Sequence, residues 1–111
     1  MSRFVEPWQV WWTDFDPRVG QEQAGERPAV VVGTRLAGEL PNDLAIVVPV
    51  TSTDRGLPIH PPVDLDGRTS FVMCDQVKSI SSRRLRRPHK TTLSLAEIDR
   101  IRFVLRRLID L

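Results

Sequence analysis

Cysteine occurs once in this chain, as Cys74, and tyrosine not at all. A lone cysteine excludes an internal disulfide and fits a reducing, cytoplasmic setting. Metal-site spacings are missing too: there is no C-x-x-C, no H-x-x-x-H and no clustered His/Cys set. We therefore expect no metal and no other cofactor. No apolar run approaches the ~20 residues that a membrane span needs, and Met1–Glu6 lacks a signal-peptide core. What remains is a globular composition, 41% apolar and 27% charged over 111 residues. That length suits a single domain, residues 1–111, with one modest core.

Net charge is only +2, but it is unevenly placed. Arg83, Arg84, Arg86, Arg87 and Lys90 form a basic turn without an acid; removing these five from the sixteen bases leaves eleven against fourteen acids. A local basic patch is what an anionic polymer feels, although a solvated turn is the plainer interpretation.

In chain order, Trp8–Thr13 alternates as a strand, with Trp8, Val10 and Trp12 on one face and Gln9, Trp11 and Thr13 on the other. Three tryptophans in five residues invite a stacking platform for bases, but a small β core needs bulky fillers, so at least two are expected inside. Pro17–Glu26 is a long polar loop. Buried strands follow at Ala29–Gly33 and Leu44–Val50, separated by an irregular excursion over Arg35–Asp43. Thr51, Ser52 and Thr53 supply three hydroxyls at a strand exit. Val63–Leu65 reads as an edge strand, Asp66-Gly67 as a hairpin turn, and Thr69–Asp75 as a strand that continues or bends through Gln76–Ile80. Cys74 is a small core residue on this pattern, and Asp75 stands at the end of an apolar face. Ser94-Leu95-Ala96-Glu97 is a capping box opening a C-terminal helix. Its apolar stripe is Ile98, Ile101, Val104, Leu105, Leu108 and Ile109, and its outer face carries Arg100, Arg102, Arg106 and Arg107.

The chain is organised around Gln21–Val32, where a polar loop meets an Arg-Pro pair and then a run of valines. Pro28 biases Arg27 toward an extended conformation, which would aim a planar, always-charged guanidinium from a stiff base. That arrangement suits an anion clamp. An arginine paired with Glu22 or Glu26 at a strand end is the alternative.

Four blocks then carry a resemblance: Trp12–Pro17; Glu22–Gly25 with Arg27–Val31; Val48–Ser52; and Asp75–Ile80. In this order and spacing the chain resembles the MazF/PemK family of toxin–antitoxin endoribonucleases from about Trp8 to Leu111. The resemblance implies a mainly β fold, a small SH3-like barrel of about five to seven antiparallel strands with a C-terminal helix, assembled as a homodimer. It implies metal-independent cleavage of single-stranded RNA by 2′-OH attack, leaving 2′,3′-cyclic phosphate and 5′-OH ends. It also implies a cognate antitoxin with an acidic, disordered tail.

By that resemblance Arg27 and Thr51 are catalytic, with Glu22 and Asp75 as carboxylates competing for the role of base and a purely electrostatic mechanism open beside them. The RNA-binding surface it implies includes Gln21, Gln23 and Pro28 on the loop side, Ser52, Thr53, Thr69 and Phe71 on the strands, and Gln76 and Lys78 beyond them. Three departures from the pattern stand out. Met73 stands where the plasmid-borne branch has an arginine, Gln21 stands where that branch has a histidine, and Trp8-Gln9 replaces Gly-Asp or Gly-Glu. Rival functions are a CcdB-like gyrase inhibitor on the same fold, a non-catalytic SH3-like RNA-binding module, and a nuclease using His60 and His89 as an acid–base pair. We read both histidines as surface residues.

Overall fold

The two valine-rich runs are buried on both faces, and they divide the interior. The computed structural model describes residues 5–15 and 26–111. The strands are β1 (Gln9–Asp14), β2 (Glu26–Val31), β3 (Leu44–Thr51), β4 (Pro62–Leu65), β5 (Arg68–Val72), β6 (Lys78–Ser81) and β7 (Leu85–Thr92). Helix α1 (Arg35–Glu39) follows β2, and α2 (Leu95–Leu108) closes the described chain. The order in the curled antiparallel sheet is β4-β5-β3-β2-β1-β7, with β6 also pairing β3. β3 serves two partners in succession: Leu44–Val47 pairs β6, and Val50–Thr51 pairs β5.

One cluster gathers Val10, Val30, Val48, Val50 and Val72 beneath Ile101, Val104 and Leu105 of α2. The other gathers Trp11, Ala29, Val31, Ala45, Val47, Ile80 and Leu85. Alternation along β2 and β3 sends successive side chains to opposite cores. The short linker Cys74–Gln76 is a 3-10 turn rather than the expected strand continuation. Cys74 is fully buried, and its thiol is pushed up to about 12 by burial, with adjacent Asp75 adding to the shift. It is a packing group, as expected.

Several boundaries differ from the sequence expectation. β2 begins at Glu26, so Arg27 lies inside a paired strand instead of at its threshold. The Arg35–Asp43 excursion contains α1, started by Thr34, whose Oγ1 accepts the Ala37 N–H at 3.3 Å. The basic turn Arg83–Lys90 is mostly β7, paired with β1. Leu85 anchors it, fully buried in the second cluster. Of the three tryptophans only Trp11 is buried, whereas Trp8 and Trp12 are half-exposed. Leu108, assigned to the apolar stripe of α2, is exposed. The Asp66-Gly67 hairpin is as read: both residues have positive φ, 54° and 85°, which the tight β4–β5 turn requires. Among the described residues no helix is long and apolar enough to cross a membrane.

The capping box of α2 has a second task. Glu97 accepts the Ser94 N–H at 2.8 Å through Oε1 and the Asp64 N–H at 2.7 Å through Oε2, tying the helix to β4. Burial would raise its pKa, but these hydrogen bonds outweigh it and hold the carboxyl below its ordinary value of 4.5. Glu97→Ala should therefore cost about 1–2 kcal/mol at neutral pH, by loss of the cap and of the β4 contact. A depressed carboxyl stabilises the fold above its unfolded pKa, and that contribution disappears as pH falls through the folded value. Urea titrations of wild type and variant should show the difference at pH 7 and its shrinkage once pH drops well below 4.5.

Candidate active site

Pairing brings Arg27 to its neighbours. Across β1 it lies opposite Thr13, which is fully buried and donates its hydroxyl to the Trp11 carbonyl at 3.0 Å. Toward β3 the register runs Val31↔Val47, Val30↔Val48 and Ala29↔Pro49. Arg27 lies two residues before Ala29 on β2, and Thr51 two residues after Pro49 on β3. Both residues line one cleft of about 190 Å³, together with Trp12, Pro28, Val50, Ser52, Leu65, Arg68, Ser70 and His89.

Thr51 is 5% exposed, and its Oγ1 accepts the Thr53 N–H at 3.1 Å. With the oxygen so engaged, the hydroxyl proton is left to donate into the cleft. Arg27 is half-buried, and among the described residues neither it nor Arg68 has an ion-pair partner. An unpaired guanidinium with limited access to water attracts an anion more strongly than a solvated one. Arg27 therefore does not use Glu26 as a partner; that carboxylate is taken by Arg87.

The basic strand is less free than its sequence suggests. Arg86 Nη2 meets Asp14 Oδ2 at 2.9 Å, Arg87 pairs with Glu26, and Lys90 Nζ meets Asp66 Oδ2 at 2.9 Å. The cations of these pairs are about half-exposed or more, and such pairs are worth about 0–1 kcal/mol each, so an incoming polyanion can exchange for the carboxylates. Arg87 also lies over the Trp12 ring at 5.2 Å.

Of the residues singled out in the sequence, Arg27, Pro28, Thr51 and Ser52 come together in the cleft. Gln21, Glu22 and Gln23 lie outside the described residues. Thr53, Thr69, Phe71, Asp75, Gln76 and Lys78 do not line the cleft. Phe71 is paired with Thr51 across β3 and β5, and Lys78 lies over the Phe15 ring at 5.4 Å. Asp75 sits on the 3-10 turn with its Oδ1 2.8 Å from His60 Nε2. His60 is not a surface residue: its side chain is 2% exposed, and its Nδ1 is buried without a hydrogen-bond partner. The two histidines do not converge, since His89 lines the cleft and His60 does not. Sequence reasoning missed Arg68, Ser70 and His89 as cleft residues. Only the Asp66-Gly67 turn, which folds β5 back beside β4, hinted at the position of Arg68. Among the described residues no group of three or more His, Cys, Asp or Glu is placed to hold a metal ion.

A family model described as a PemK-like, MazF-like toxin of type II toxin–antitoxin systems matches residues 6–109. The endoribonuclease toxin MazF of Escherichia coli (strain K12) is 34% identical over 103 residues, spanning 92% of each chain. The Escherichia coli endoribonuclease PemK is 37% identical over 81 residues, covering 68% of this chain and 60% of its own. Among solved structures, MazF (Form-I) from Deinococcus radiodurans superposes with a TM-score of 0.76 at 26% identity, over 99% of this chain and 100% of that one. A MazE–MazF structure (Form-II) from the same organism gives 0.77 at 26% identity, covering 94% of both.

Proposed function

The chain belongs to the PemK-like, MazF-like toxins of type II toxin–antitoxin systems, and we propose that this endoribonuclease cuts single-stranded RNA in the Arg27–Thr51 cleft without a metal. The observation that carries the cleavage chemistry is an arginine without an ion-pair partner among the described residues, lining one cleft with a hydroxyl that is free to donate.

The substrate's own 2′-oxygen gives its proton to solvent water and forms a bond to the adjacent phosphorus. The bond from phosphorus to the 5′-oxygen breaks, and that oxygen takes up a proton from solvent. The products are a 2′,3′-cyclic phosphate and a 5′-OH. Negative charge grows on the non-bridging oxygens, and fixed donors aimed at that charge contribute most of the acceleration. Arg27 supplies two N–H groups and a permanent charge, and Thr51 supplies an O–H. Arg27 is not the base, because a guanidinium stays protonated near neutrality. Asp75, engaged with His60 outside the cleft lining, is poorly situated to be one. The reading therefore rests on charge stabilisation, with Glu22 as the remaining carboxylate candidate.

MazE–MazF complexes among the structural relatives support a cognate antitoxin, whose acidic disordered segment would compete with RNA for the exchangeable pairs on β7. A homodimer is the assembly we propose, and exposed Phe103, Leu108 and Leu95 on α2 are apolar surface that a second copy could cover. A cytoplasmic location is consistent with one reduced, buried cysteine. Incubating purified protein with a short single-stranded RNA in excess EDTA tests the reading: cut strands ending in cyclic phosphate are expected. Intact RNA together with inhibited gyrase would transfer the assignment to a gyrase-binding toxin.

A further inference from the structure

His89 lines the same cleft, and its ring is fixed from two sides. It stacks on Trp12 with centroids 5.0 Å apart and planes at 29°. Its Nδ1 lies 3.0 Å from the backbone N–H of Thr91. A backbone N–H can only donate, so Nδ1 carries the lone pair and the neutral ring carries its proton on Nε2. Burial lowers the pKa; Asp66 opposes this, while Lys90 and Arg87 add to it. The ring therefore stays neutral at pH 7, with one polar hydrogen left to offer. It can act neither as a cationic clamp nor, through Nε2, as a base.

We propose that His89 is an RNA-contacting residue of this cleft, donating its Nε2–H to a phosphate oxygen of the strand held by Arg27 and Thr51, with Trp12 as the backing that holds the ring. The proposal rests on the RNA-cleaving reading above. Its recognition element is a neutral donor beside Arg27 and Arg68, which have no ion-pair partner among the described residues; this suits a phosphodiester in which one oxygen needs a directed hydrogen bond.

Two amides separate this role from that of a structural tie on β7. Asparagine can place its oxygen near Nδ1 and keep the Thr91 contact while losing the outward donor. Glutamine reaches the Nε2 position and restores a donor. With a short single-stranded RNA, His89→Asn and His89→Ala should each lower kcat/KM by about tenfold to a hundredfold, the scale of one hydrogen bond to a charged group. The larger part should fall on KM. His89→Gln should recover to within about threefold of wild type, since the donor returns without the ring. Thermal stability should follow the opposite order, with His89→Asn above His89→Gln. If His89→Asn cleaves as well as or better than His89→Gln, or if all three variants match wild type, His89 is only a tie for Thr91 and the proposal falls. RNA left intact by wild type itself overturns the cleavage reading and this contact together.

Discussion

Arg27→Ala is expected to reduce RNA cleavage by about 10²–10³-fold, the cost of removing one fixed donor from a site where charge develops in the transition state. The loss should appear mostly in kcat, because the charge that Arg27 meets is larger in the transition state than in bound RNA. Folding should be nearly untouched. Among the described residues Arg27 has no ion pair to lose, and its backbone ladder to Thr13 survives the change. Removing a partly desolvated, unpaired cation can even raise stability slightly. Arg27→Lys keeps the charge but loses the planar two-pronged geometry, so it should recover only part of the rate. Single-turnover cleavage of a short RNA, read beside a thermal melt, measures both sides. A folded Arg27→Ala protein that cuts at the wild-type rate would remove Arg27 from the chemistry.

The sequence shows where Arg27 and Thr51 lie in the chain, but not why they meet. Ala29–Val31 and Leu44–Val50 are readable as buried strands because β-branched runs need cover on both sides. Their antiparallel register, Ala29↔Pro49, is a fact of pairing that neither strand states alone. The same limit hides the other cleft residues. Arg68 looks like an ordinary hairpin residue, and His89 stands in a stretch whose charges suggest solvent. Both enter the cleft because β5 and β7 are brought to opposite margins of the β1–β2–β3 surface. His60 departs from its sequence expectation for a related reason. Prolines around it argue for loop, and loops are mostly exposed, yet this one is pinned by Asp75 and packs the imidazole to 2% exposure. Local pattern reports strand and turn; long-range pairing decides which polar side chains share a space.

Leu85 shows the same limit in the core and carries the largest stability prediction. In sequence it is a single apolar residue among Arg83, Arg84, Arg86 and Arg87, where the charge pattern dominates. In the fold it is fully buried, opposite Thr13, and among the largest side chains so enclosed. The second cluster offers few alternatives, since Ala29 and Ala45 are small and the neighbouring valines are branched and stiff. A hole left by Leu85→Ala would therefore collapse poorly, and the expected cost is about 3–5 kcal/mol, toward the upper end for such truncations. Against a total of about 5–15 kcal/mol for a domain of this kind, that loss leaves little margin at 37 °C. Leu85→Val, which removes less volume, should cost about 1 kcal/mol. The consequence for activity separates the two cores. β7 carries His89, the Arg86–Asp14 pair to β1 and the Arg87–Glu26 pair to β2, so loosening Leu85 should release that wall of the cleft before α2 detaches. Hydrogen exchange on Leu85→Val should accordingly accelerate in β7 and β1 while the amides of α2 keep their protection. Uniform acceleration across both clusters would show instead that the two cores unfold as one unit, with no separate weakness on the side that holds the RNA cleft.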